Sequence, residues 1–238
     1  MALLDLIQDV SRQLGMSTPT VVMTSSDQRV LELLVMANST GDELSRRYEW
    51  QELTFLAQFT STSTIDQGYL TGSIATDYGR FVDQTFWDRD LRQPIIGPVT
   101  AQEWQSDISF AVVGPPYKFI IQADVLKVGP TAVGAGHTMV FNYITKNWCQ
   151  SSSGTGQTAF AADTDTTRIP QELFKLSLIW RWKQAKGLAY AEDMESAEEQ
   201  IERYTGQNAG RRVLFIGGQG IYYLAENVPL GDWPQVPP

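Results

Sequence analysis

Apolar residues recur with helical spacing at both ends of the chain and with strand spacing in the middle. Leu3, Ile7, Val10 and Leu14 fall 4-3-4 apart, predicting a helix over 3–14 that Gly15 stops. A second helix follows, with Val30, Leu34, Ala37, Gly41, Leu44 and Tyr48 along one seam. Ser25 and Gln28 stand at capping-box spacing before it. The small residues at 37 and 41 suggest close approach by a neighbouring helix. Between Leu173 and Trp182 apolar residues occur on several sides, so this helix should be covered on several sides and central. Pro170 suits its first helical position, and Gly187 suits a left-handed stop. The next helix has one seam: Tyr190, Met194, Ala197, Ile201 and Tyr204. Its other side carries Glu192, Asp193, Glu195, Glu198, Glu199 and Glu202 against Arg203 alone.

The middle of the chain has period 2. Phe55, Ala57 and Phe59 alternate with other positions, and Met139, Phe141 and Tyr143 should face one way within a strand over Thr138–Ile144. Tyr117–Gln122 and Val125–Val128 are further strand candidates, separated by Gly/Pro turns. Thr100-Ala101-Gln102-Glu103 is a capping box that opens a short helix carrying Trp104. Ser151–Gln157 has loop composition. The predicted class is α+β: a helical bundle from residues 1–50 and 158–206, an inserted antiparallel β domain (sandwich or small barrel) at 51–157, and an extended C-terminal tail at 207–238. In that tail Arg211–Leu224 has the pattern of a hairpin, and the end is proline-rich.

Composition limits the chemistry. The 238 residues carry 27 acids against 18 bases, a net charge of −9, which argues against tight general binding of nucleic acid. No apolar run reaches the ~20 residues a membrane span needs, so no membrane partner is expected. The N-terminus has no basic region of signal-peptide type. Cys149 is the single cysteine, which fits a reducing compartment and excludes an intrachain disulfide. His137 is the single histidine, so a His/Cys zinc site is not expected and a Ser-His-Asp triad would have to use it. By default it is a turn histidine with no constrained partner.

The remaining motifs have plain readings. Asp163-Thr164-Asp165 resembles a phosphatase nucleophile motif without the strand and sheet that chemistry requires, and it fails as a calcium loop. Acids ahead of a helix are more simply an N-terminal electrostatic and capping arrangement. Val213–Gly220 lacks the G-x-G-x-x-G spacing of a dinucleotide loop. Trp87, Trp104, Trp148, Trp180 and Trp182 could form a carbohydrate platform or could be core. No nucleophile–base–orienter set is visible, so neither enzyme activity nor a cofactor is expected.

Phe81–Asp90, with Thr85-Phe86-Trp87-Asp88-Arg89-Asp90 at its end, and Gly97–Trp104 resemble stretches of the head-to-tail adaptor proteins of tailed bacteriophages, the tail tubular protein A type included. Phe141–Trp148, Ala161–Thr166 and Leu178–Asp193 extend the resemblance, which covers about residues 1–205. It implies a structural virion protein at the head–tail junction, assembled in the host cytoplasm. It implies a homo-oligomeric ring, usually of twelve copies, joined to the portal protein above and to a tail or nozzle protein below. Genomic DNA would pass through without sequence-specific binding. On that reading Glu192, Glu195, Glu199 and Glu202 are candidates to face the DNA channel. Arg211, Arg212, Phe215, Tyr222, Tyr223 and Trp233 are candidates for the portal interface. The alternative is a tail-associated carbohydrate- or receptor-binding module built on the β domain.

Overall fold

The computed structural model describes residues 2–110 and 116–208. In chain order its elements are α1 (Leu3–Gln13), α2 (Gln28–Arg47), β1 (Thr54–Thr60), β2 (Asp66–Tyr69), β3 (Tyr78–Phe81), β4 (Trp87–Asp88), β5 (Gln93–Pro94), α3 (Ala101–Ser109), β6 (Lys118–Gln122), β7 (Val125–Gly129), β8 (Thr138–Thr145), β9 (Cys149–Gln150), β10 (Gly156–Gln157), β11 (Thr166–Thr167), α4 (Gln171–Ala185) and α5 (Ala191–Asn208). A 3-10 turn, Gln51–Leu53, precedes β1, and a single π turn, Leu70–Ile74, follows β2. The class is therefore α+β, as the periodicities predict. Contacts divide the chain into two compact units, with breaks after Thr54 and after Tyr143.

In the first unit, α4 packs against α1, α2 and α5. Leu173, Phe174, Leu178, Ile179 and Trp182 are buried on it, which accounts for its apolar residues on several sides. α4 ends in a Schellman motif: Gly187 N–H donates to Gln184 O (3.1 Å) and Leu188 N–H to Lys183 O (2.8 Å), with Gly187 at φ 69°. Pro170 sits one residue earlier than expected, at the N-cap. α2 is capped by Asp27, whose carboxylate accepts from Arg29 N (2.9 Å), and not by Ser25. Ser25 Oγ instead accepts from Asp27 N, so the serine shapes the turn one step upstream of the cap. On α2, Leu33 is fully buried and Leu34 only partly.

The small residue Gly41 does serve a close approach, but of an indole. A Cβ there would lie 2.5 Å from the ring atoms of Trp148. Trp148 is itself stacked on Phe174 of α4 (centroids 5.8 Å) and edge-on to Phe160 (4.9 Å). Of the segment Ser151–Gln157, a loop by composition, Gly156 and Gln157 form β10, which pairs with β9 just before it. With β11 they make a three-stranded sheet of two-residue strands in the order β10-β9-β11. Strands that short leave no period to detect.

The second unit holds two sheets. One is ordered β1-β8-β4-β5, with β3 also paired to β8; the other is β2-β7-β6. The β6–β7 hairpin pairs antiparallel from Lys118↔Gly129 to Gln122↔Val125, and its turn places Ala123 and Asp124 at positive φ. Both sheets bury one aromatic core. Met139, Phe141 and Tyr143 of β8 enter it together, as their alternation predicts, with Ala57, Phe86, Phe119, Leu126 and Val128. Phe81 and Phe86 contact each other and both Phe119 and Phe141, with ring centroids 4.8–6.2 Å apart, the offset and edge geometries aromatic rings prefer. α3 opens with the expected cap, Thr100 Oγ1 accepting from Glu103 N (3.2 Å), and buries Trp104.

Candidate functional site

α5 begins at Ala191, one residue after the first position of its seam, and buries Ala197 and Ile201 completely. Tyr190 and Tyr204 are half-buried, and Met194 is largely exposed. Its acids divide into two sets. Asp193 pairs with Lys183 of α4 (2.6 Å). Glu198 accepts from Arg47 at the end of α2 (2.6 Å) and from the Tyr48 hydroxyl (3.3 Å). Burial, with the Glu198 charge next, raises the Tyr48 phenol above its ordinary pKa. Tyr204 donates to Glu52. The inner acids thus attach the helix. Glu192, Glu195, Glu199 and Glu202, the four candidates named from the sequence, are all exposed. Glu199 pairs within the helix with Arg203 (2.5 Å). The other three have no ion pair among the described residues. Four carboxylates on the outer edge of one helix form a one-signed surface with no chemistry beyond its field.

Asp163 and Asp165 do not cap α4. The Asp163 carboxylate accepts from Val22 N (3.1 Å) and Met23 N (2.8 Å), in the loop between α1 and α2. Asp165 is buried, and its carboxylate accepts from Ala161 N (2.7 Å) and Ala162 N (2.8 Å). Their main-chain carbonyls take the first free N–H groups of α1: Leu3 N to Asp165 O (2.7 Å) and Leu4 N to Asp163 O (3.1 Å). The motif is a structural clamp on the N-terminal helices, and both carboxylates accept from main-chain N–H groups. Cys149 is also internal. Its thiol donates to Gln157 O (3.2 Å), and burial, followed by the Asp165 charge, pushes its pKa up to about 12, far from a reactive thiolate.

His137 has a partner that sequence reasoning missed. Its Nδ1 bonds Oδ2 of Asp88 at 2.8 Å, and Asp88 is 1% exposed. The other oxygen of Asp88 accepts from Asp90 N (2.9 Å) and Leu91 N (3.0 Å), an Asx-type turn that shapes the β4–β5 hairpin. Arg89 N donates to Thr138 O (3.0 Å), and Thr138 N donates to the Asp90 carboxylate. That last bond holds Asp90 below the usual carboxylate range. Ser61 is close by, but its hydroxyl donates to Gly134 O (2.7 Å) and accepts from the main-chain N of His137 (3.0 Å). Ser, His and Asp therefore meet here with the hydroxyl proton directed at a carbonyl, so the arrangement is a turn scaffold and not a nucleophile–base pair. The signal in the sequence was Asp88 itself, a turn-forming residue directly before Arg89-Asp90-Leu91-Arg92.

Trp104, Trp148 and Trp182 are buried, and Trp87 and Trp180 half-buried, so the five tryptophans make no exposed stacking platform. An open groove of 550 Å³ between the start of α4 and the end of α5 is lined by Gln171, Leu173, Gln200, Arg203, Tyr204 and their neighbours. It contains no serine, cysteine or histidine. Among the described residues no three His, Cys, Asp or Glu side chains are placed to hold a metal ion, and no helix is long and apolar enough to cross a membrane. The portal-interface candidates Arg211, Arg212, Phe215, Tyr222, Tyr223 and Trp233 lie outside the described residues.

No curated protein matches the chain. The family model described as SU10 adaptor protein matches residues 1–215, the helical unit and the β unit together. This bears out the resemblance carried by Phe81–Asp90, Gly97–Trp104 and Leu178–Asp193. The chain belongs to the SU10 adaptor protein family, a family of phage head–tail adaptors, and is a structural virion protein of a bacteriophage.

Proposed function

We propose that the protein forms a homo-oligomeric ring, a dodecamer on the family resemblance, that joins the portal protein to the tail or nozzle protein at the head–tail junction. It assembles in the host cytoplasm and acts without catalysis. Residues 1–50 and 158–206 form the ring's helical bundle domain and residues 51–157 its β domain. The terminal segment 207–238 holds the portal through Arg211, Arg212, Phe215, Tyr222, Tyr223 and Trp233. The outer edge of α5, with Glu192, Glu195, Glu199 and Glu202, faces the DNA channel.

One observation carries the channel assignment: the acids of α5 are sorted. Glu198 and Asp193 are used in attaching the helix, while the outer four are left exposed with one ion pair, Glu199–Arg203, among the described residues. A wall of carboxylates repels phosphates over a Debye length, about 8 Å at physiological salt. Such a wall acts on DNA at close approach and leaves no adhesive contact. Replacing Glu195, Glu199 and Glu202 by Lys should leave the fold and virion assembly intact and slow DNA release on ejection. Unchanged release kinetics would remove the channel assignment. Deleting residues 210–238 should abolish attachment to portal-bearing particles while leaving the helical and β units folded. Normal attachment of the truncated chain would refute the portal assignment.

A further inference from the structure

We propose that β1 is a docking edge for the tail of this same chain, and that Val213, Leu214, Phe215 and Ile216 add to it as a further strand. The inference goes beyond the ring and portal readings, because it concerns a single copy and holds or fails in the free protein.

β1 lies at the end of its sheet, with β8 as its single strand partner among the described residues. An edge strand presents main-chain N–H and C=O groups along its outer side, and proteins blunt such edges with charge or proline. β1 has neither. Residues 54–65 contain no Lys, Arg, Asp, Glu or Pro, in a chain that is 19% charged. Consecutive strand residues face opposite sides of a sheet, and the consecutive pair Phe55 and Leu56 is 38% and 54% exposed. The edge is therefore apolar on both sides. A strand that covers it must itself be uncharged and apolar on both sides.

The chain carries such a run within reach. Tyr204, one turn before the end of α5, donates to Glu52 and contacts the Trp50 ring (centroids 6.0 Å). Glu52 precedes Thr54, the first residue of β1, by two positions. α5 thus ends beside the segment that leads into β1. Four residues separate Asn208 from Val213, and four extended residues span about 14 Å. Val213, Leu214, Phe215 and Ile216 are uncharged and apolar, and Val, Phe and Ile favour strands.

Two observations select this occupant. The family match extends to residue 215, past the end of α5 and into this run, and stops short of the second apolar run at Ile221, Tyr222, Tyr223 and Leu224. A short tether gives the run an effective concentration on the order of 1 mM, above that of other copies in dilute solution. Strand pairing engages main chain, so the portal candidates further along, Tyr222, Tyr223 and Trp233, stay available.

The test uses the full chain, free in dilute solution, with a photo-crosslinking residue in place of Leu56 and products mapped by mass spectrometry. It should link to residues 211–218 within one copy. The same residue in place of Val35, 68% exposed on α2, should not. Of two adjacent strand residues one donates its N–H toward the neighbouring strand, whatever the register. Leu214→Pro/Phe215→Pro should therefore lower the Leu56 yield about tenfold, the loss expected of a missing ladder bond, with the helical circular dichroism signal unchanged. In the unaltered chain, amide exchange across residues 213–216 should be slower than across residues 231–236, relative to their intrinsic rates. A yield unmoved by the prolines, or equal from Leu56 and Val35, would overturn the proposal, because contact without pairing would then explain it. Links from Leu56 to a second copy, or equal exchange in the two parts of the tail, would overturn it as well. Rings and portal attachment are read separately, so their absence would sink those readings and leave this one standing.

Discussion

α4 and α5 are consecutive helices in one unit, yet they are held by different physics. α4 buries Leu173, Phe174, Leu178, Ile179 and Trp182, and its stop is fixed by the Schellman turn at Gly187. Among the described residues α5 fully buries only Ala197 and Ile201; Tyr204 adds a ring contact with Trp50 (centroids 6.0 Å), and the other attachments are polar: Asp193–Lys183, Glu198–Arg47, Glu198–Tyr48 and Tyr204–Glu52. Apolar burial is indifferent to salt on the scale that screens ion pairs. α4 should therefore behave as a fixed spine, and α5 as an element whose attachment depends on ionic conditions. For a helix assigned to a channel wall, that difference separates what sets the position of the wall from what presents its charge.

The largest expected effect tests the spine. Phe174→Ala removes a fully buried ring stacked on Trp148 and should cost about 3–5 kcal/mol, read as a lower urea midpoint for the helical signal. Gly41→Ala sharpens the point from α2. Its Cβ would lie 2.5 Å from Trp148 ring atoms, and overpacking of that kind costs about 1–3 kcal/mol. A Gly41→Ala protein as stable as the parent would mean that Trp148 does not lock α2 to α4.

Local faces were legible in the sequence; long-range partners were not. The stops at Gly15 and Gly187, the multi-sided burial of α4 and the inward row Met139, Phe141, Tyr143 all follow from periods of 3.6 and 2 with glycine punctuation. The same periods correctly left Glu192, Glu195, Glu199 and Glu202 on an exposed edge. Periodicity does not say what fills a notch: small residues at 37 and 41 point to a helix, and the occupant at Gly41 is the Trp148 indole. Nor does it say where a carboxylate reaches. Asp163 bonds main chain about 140 residues away, at Val22 and Met23, and Asp88 meets His137 across 49 positions. Both pairs form because folding brings an acceptor to otherwise unpaired N–H groups, a demand visible only once the backbone path is known.

A smaller effect separates the two helices directly. Ile201→Ala deletes the larger of the two apolar anchors of α5 and should cost about 2 kcal/mol, the low end for such truncations. The loss should be local. Amide hydrogen exchange should quicken across Ala191–Gln207 and stay slow across Gln171–Ala185, because few buried contacts would oppose opening of α5 alone. Equal acceleration in both helices would break the comparison, since α4 and α5 would then open as one cooperative unit.

The smallest effect is the most specific. Glu198→Gln removes the carboxylate charge that Arg47 and Tyr48 share, while keeping the size of the side chain. The pair is partly solvated, with side-chain exposures of 42% for Arg47 and 27% for Glu198, so the change should cost at most about 1 kcal/mol. Its signature is a slope more than a level. In the unaltered protein, raising salt well above physiological strength screens Arg47–Glu198 and should speed amide exchange along α5. In Glu198→Gln that salt dependence should fall, leaving the part due to Lys183–Asp193. α4, held mainly by buried apolar residues although Arg181–Glu43 and Lys186–Glu32 also tie it to α2, should show a smaller salt dependence, and the same one in both proteins. An α5 salt slope unchanged by the substitution would mean that the Arg47–Glu198 pair does not hold the helix, and the contrast between an apolar spine and an ionically attached helix would collapse into one of degree.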